Sequence, residues 1–120
     1  MKITVITILA LAATLIFEIA LADETGPAGT VHSVLVRTVS SDSYIQAHGS
    51  LMVKQSIDDV VTEYRWGGTS CGAKVLTDSQ VAYLMDLAAA PYMLIEPIHK
   101  AGQGQIICLV GFTAFNSKYE

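Results

Sequence analysis

The chain has two cysteines, Cys71 and Cys108. Both lie downstream of an N-terminal segment with the pattern of an export signal. Lys2 supplies a positive start, Ile3 to Phe17 is almost wholly apolar, and Ala20-Leu21-Ala22 offers a small-x-small cleavage site before Asp23. The apolar run is shorter than the about 20 residues that span a bilayer, and Glu18 interrupts it. The segment therefore reads as a signal peptide cleaved after Ala22 rather than an anchor. In an oxidising compartment two thiols in one small domain default to a disulfide. A bridge from Cys71 to Cys108 is worth about 4 kcal/mol on the chain-entropy argument, less any native strain. It would tie a glycine-rich loop, which has little side-chain material to pack, to an apolar C-terminal strand. No other feature narrows the possible folds as much.

Of the 120 residues, removing 22 leaves 98, enough for one domain that buries roughly 60–70% of its unfolded surface. Lys2 and Glu18 leave together, so the net charge stays at −4. An acidic chain with scattered Lys and Arg lacks the basic stripe that nucleic acids and anionic membranes select. Neither is expected as a partner. A single bridge is sparse for a small eukaryotic secreted domain, and Asn116-Ser117-Lys118 is not a glycosylation sequon. Both points favour a periplasmic or secreted bacterial protein.

Asp23 to Thr30, "DETGPAGT", reads as a flexible lead-in. Val31–Val39 is β-branched and predicts a strand. Tyr44–Lys54 alternates, with Ile45, Ala47, Gly49, Leu51 and Val53 on one side and Tyr44, Gln46 and His48 on a wetter one. Gly49 marks a bulge, bend or tight turn within it. Val60–Trp66 predicts a third strand, with Tyr64 and Trp66 on one face and Glu63 and Arg65 on the other. Thr77 with Gln80 makes a capping box, and Leu76 with Val81 a hydrophobic staple. Val81, Leu84, Met85 and Ala88 then follow at helical spacing, so a helix is predicted over Asp78–Ala90, stopped by Pro91. Tyr92–Lys100 and Gln105–Phe115 predict a final hairpin. Pro97 confines its strand to an edge or a bulge, and the last strand, apolar on both faces, reads as central. The expected fold is α+β: an antiparallel sheet of five or six strands, β-β-β(-β)-α-β-β, with one helix packed on one face, as a single domain over residues 31–120.

The segment "RWGGTSCGAK", Arg65 to Lys74, holds most of the candidate chemistry. Gly67, four residues and Gly72 begin a phosphate-loop pattern, but Ala73 displaces Lys74 and Val75 stands where a hydroxyl is needed. Cys71 is a nucleophile only if it escapes Cys108 and meets a histidine base. His32, His48 and His99 show no metal-ligand spacing, although a metal or small-ligand site assembled in three dimensions would draw on them. Asp58 and Asp59 fit a turn, while Glu63 and Glu96 fall on strands. Trp66 is either a core residue covering the sheet end or an exposed recognition residue. The candidate interaction surface is thus Tyr64, Trp66, Gly67, Gly68, Thr69 and Lys74, with Tyr44, Gln46 and His48 as a second face. The expected function is a small exported binding protein without enzymatic activity or cofactor, acting on a protein partner as an inhibitor or immunity-type protein does. A ligand binder using the histidines and a thiol-dependent enzyme using Cys71 are the alternatives.

Overall fold

The computed structural model describes residues 22–117. The expected signal segment lies outside these residues except for Ala22. Among the described residues no helix is long and apolar enough to cross a membrane.

The elements are β1 (Glu24–Thr25), β2 (Gly29–Val36), β3 (Gly49–Gln55), β4 (Val61–Trp66), α1 (Gly68–Cys71), α2 (Asp78–Ala88), β5 (Met93–Ala101) and β6 (Ile107–Asn116). Strands β2, β3 and β4 form a consecutive antiparallel meander. Its second turn is set by Asp58, which accepts from the Val60 amide at 3.0 Å, and by Asp59, whose φ is 61°. The α2 cap forms as the sequence predicts. Thr77 Oγ1 accepts from the Gln80 amide, and the Gln80 side chain accepts from the Thr77 amide.

The predicted open antiparallel sheet is not what the chain builds. β5 returns to lie antiparallel beside β2, which makes the first four barrel strands a Greek key. β6 then pairs antiparallel with β5 and parallel with β4. The ring β2-β3-β4-β6-β5 closes on itself, giving a five-stranded mixed barrel, with β1 added beside β5. An open sheet of these strands would leave two edges with unpaired backbone, and closure removes them. Alternation of apolar and polar residues reports which face of a strand is buried. It carries no information about which strand lies next to which, so the parallel β4–β6 contact has no sequence signature.

Two of the five barrel contacts are thin. The β2–β3, β3–β4 and β5–β6 ladders hold six to nine residue pairs each. The β2–β5 contact is the single pair Gly29–Ile95, and the β4–β6 contact the single pair Arg65–Cys108. Gly29, at the first, is also pressed against β3: a Cβ there would collide with the Lys54 carbonyl oxygen, so only glycine lets β2 and β3 approach this closely. At the second, Cys108 is bonded to Cys71, with Cα atoms 5.7 Å apart. The expected disulfide is therefore present, and it sits on the seam of the barrel.

The core is Val31, Leu51, Val53, Tyr64, Trp66, Leu84, Leu87, Ile95 and Leu109. Helix α2 packs chiefly on β2 and buries a narrower stripe than its sequence predicts. Leu84 and Leu87 are buried, Val81 is half-buried, and Met85 faces out. Residues 23–30 are not a loose lead-in. Glu24 and Thr25 pair with His99 and Ile98, the Gly26 amide donates to the Pro97 carbonyl at 2.8 Å, and Asp23 meets Lys100. Tyr44 to His48 leave the predicted strand and coil, because the Ser43 carbonyl takes the amides of both Gln46 and Ala47. β3 begins only at Gly49, which lies against the Trp66 ring where a Cβ would clash. Buried Pro97 is followed at once by a register shift between Ile98 and His99, the bulge its missing N–H calls for.

Replacing both cysteines by serine is expected to lower the unfolding free energy in urea by about 2–5 kcal/mol. Gly29→Ala, which drives a methyl into the Lys54 backbone of β3, is expected to lower it by about 3 kcal/mol.

Candidate functional site

The glycine segment is a junction, not a cradle. Gly67, Gly68 and Gly72 all have φ between 60° and 70°, which lets the chain reverse from β4 into the four-residue α1 and out again. The amides of Gly67, Thr69, Ser70, Cys71, Gly72 and Lys74 all donate to main-chain carbonyls. A phosphate loop needs these groups turned toward a ligand, so this segment cannot serve as one. Instead it knits neighbouring loops together. Thr69 and Ser70 donate to the carbonyls of Ile45 and Gln46 at 2.8 and 2.9 Å, in the β2–β3 loop. The Ser70 carbonyl accepts from the Gln103 amide at 2.9 Å, in the β5–β6 loop.

Around this junction lie two adjoining recesses. The first, about 500 Å³, is lined by Gln46, Arg65, Thr69, Ser70, Gln103 and Ile106. The second, about 420 Å³, runs along Thr69 to Lys74 and Ala101 to Gln103. They share Thr69, Ser70 and Gln103. Arg65 reaches the first because it lies on the opposite face of β4 from Tyr64 and Trp66. Its Nε donates to the Glu63 carboxylate at 2.8 Å, and both side chains are about one-third exposed. A third groove, about 540 Å³ and more apolar, runs between the end of β2, Tyr44, His48 and the outer side of α2.

The sequence-predicted site residues divide sharply. Thr69 and Lys74 line the recesses. Gly67 and Gly68 shape the turn and are pressed against His48 and the Gln46 backbone. Tyr64 and Trp66, at 1% and 3% exposure, are core. Their rings support the barrel, so the exposed-Trp66 reading falls and the core reading stands, with Trp66 also among the residues lining the third groove. Of the second predicted face, Gln46 lines the first recess, while Tyr44 and His48 stack on one another with centroids 4.1 Å apart. Sequence reasoning missed Arg65 and Gln103. Strand alternation alone placed Arg65 opposite the aromatics, but nothing local brings Gln103 to it.

The three histidines occupy separate places: His32 is exposed on β2, His48 is stacked on Tyr44, and His99 is tilted against Tyr64. Among the described residues no three His, Cys, Asp or Glu side chains gather as a metal would require. Cys71 is bonded to Cys108 and carries no thiolate in this state. Compared with protein-family profiles, curated proteins and solved structures, the chain matches none.

Burial raises the pKa of the Tyr64 hydroxyl above the ordinary tyrosine range. The folded state thus holds this proton more tightly than the unfolded chain does. The stabilising effect is complete below the ordinary tyrosine pKa of about 10 and is lost as pH rises through the folded value. Denaturant titrations from pH 8 upward should show an alkaline decline that Tyr64→Phe diminishes. Trp66→Ala is expected to cost about 3–5 kcal/mol of stability, read by the same titration.

Proposed function

We propose that the protein is a small exported binding protein without enzymatic activity. It acts on a protein partner through the end of the barrel where the β2–β3 loop, α1 and the β5–β6 loop meet. The observation that carries this reading is the exposure of large aliphatic side chains on the β2–β3 loop, which also contributes Gln46 to the first recess. Val39 is 79% exposed and Ile45 71%. The Ile45 carbonyl accepts from the amide of Thr69, a residue that lines both recesses. Aliphatic groups held in water on a loop that also lines a recess are the makings of an interface: an apolar anchor on the same segment as groups that fix register.

Rigidity supports the same reading. The three loops are cross-linked by main-chain hydrogen bonds, and α1 is bonded to β6 through Cys71–Cys108. A surface fixed before binding loses less conformational entropy on association. The buried disulfide and the N-terminal signal pattern support placement in the periplasm or outside the cell, where the partner would be met.

The test is capture. The purified protein, immobilised, is expected to retain a specific protein from envelope or culture-medium extracts. Val39→Asp and Ile45→Asp should each weaken that retention at least tenfold, about 1.4 kcal/mol. Their unfolding free energies should stay within about 0.5 kcal/mol of the parent, as for exposed sites elsewhere. Retention that survives both substitutions places the interface somewhere else.

A further inference from the structure

We infer that the two adjoining recesses bind carboxylates of an acidic segment presented by the protein partner. The inference rests on the binding-protein reading above and goes on to name the chemistry the partner must offer. The chain carries 11 Asp and Glu against 7 Lys and Arg, yet no Asp or Glu lines either recess. Both recesses contain a cation, Arg65 in the first and Lys74 in the second. On an acidic protein, two adjoining depressions whose charged lining residues are cations are a local reversal of sign, partly offset by Glu63 beside Arg65.

Apart from Arg65 Nε, the side-chain donors there are also uncommitted. Arg65 engages Glu63 through Nε only, which leaves the terminal Nη pair as an open fork. A fork of two parallel N–H groups matches the two oxygens of a carboxylate. Lys74 makes no ion pair among the described residues. Nor do the side chains of Gln46, Thr69 and Gln103 make a hydrogen bond among them. These amides and the hydroxyl can accept the backbone amides of a bound segment or donate to its oxygens. Six of the eight main-chain amides from Gly67 to Lys74 are already used, so an anion here is held chiefly by side chains. The Arg65 fork pairs with the two oxygens of a carboxylate, the anion that a protein segment carries on its Asp and Glu side chains.

The experiment is a nuclear magnetic resonance titration of the isotopically labelled protein with four probes. These are the peptide acetyl-Glu-Gly-Glu-amide, its neutral counterpart acetyl-Gln-Gly-Gln-amide, sodium glucuronate and inorganic phosphate. The Glu peptide is expected to shift the resonances of Gln46, Arg65, Thr69, Lys74 and Gln103, and to bind at least tenfold more tightly than the Gln peptide. Arg65→Gln and Lys74→Gln should each weaken it severalfold. Arg65→Lys should restore only part of the loss, since it returns the charge without the fork. Glu63→Gln should strengthen binding, because it removes the internal carboxylate that competes for Arg65. A purely structural role for the Arg65–Glu63 pair would not produce that gain. Equal binding of the two peptides, shifts confined to other surfaces, or tighter binding of glucuronate or phosphate would each overturn the inference. Loss of peptide binding with intact capture of a protein removes the acidic-segment inference alone. Peptide binding without any captured protein removes the binding-protein reading instead.

Discussion

The Cys71–Cys108 bond holds together two things that would otherwise be independent. Cys108 is the residue through which β6 meets β4, in a contact one residue pair long. Cys71 ends α1, the short helix that leads the chain away from β4. A single parallel pair is a weak closure for a barrel, since a strand contact draws its strength from a ladder of hydrogen bonds and from facing side chains. The covalent bond supplies what the ladder lacks. Both sulfurs are buried, so the bridge is shielded in the folded state.

From this bond the candidate site follows almost without further cost. α1 is fixed to the seam. Its amides hold the β2–β3 loop at Ile45 and Gln46, and its Ser70 carbonyl holds the β5–β6 loop at Gln103. The positive-φ glycines are what allow α1 to come this close. At Gly68 a side chain would strike the Gln46 backbone. The segment thus has few side chains because it is crowded by neighbouring chain, the opposite of a glycine loop opened for a phosphate. The two recesses are the spaces left where three loops converge on one short helix.

Much of the local structure was legible in the sequence, and for identifiable reasons. The α2 cap is a local contract between Thr77 and Gln80, and no distant residue alters it. The disulfide followed from two thiols and an export pattern. Strand β4 had its alternation right, with Tyr64 and Trp66 together on the inner face. What failed was neighbourhood. The predicted strand over Tyr44–Lys54 breaks because Ser43 gathers the amides of Gln46 and Ala47 in a local turn and Gly49 lies against the Trp66 ring, and the second cause lies in three dimensions. The residues before Thr30 looked flexible because Gly26, Pro27 and Gly29 are poor at forming structure alone. Gly29 is there because a side chain would not fit between β2 and Lys54. Composition reads such a glycine as looseness when it marks close packing.

The same error of sign shifted the site. Trp66 invited attention as the large aromatic beside two glycines, and a core residue and a recognition residue look alike in one dimension. Burial settles its place, and the alternation that carries Trp66 inward carries Arg65 outward. On a strand these are inseparable consequences of one register. A barrel that buries Tyr64 and Trp66 must present Glu63 and Arg65, and Arg65 then stands at the seam opposite Cys108. The recess is therefore tied to the core by geometry. The aromatic side of β4 holds the barrel together, and the charged side brings Arg65 to the first recess.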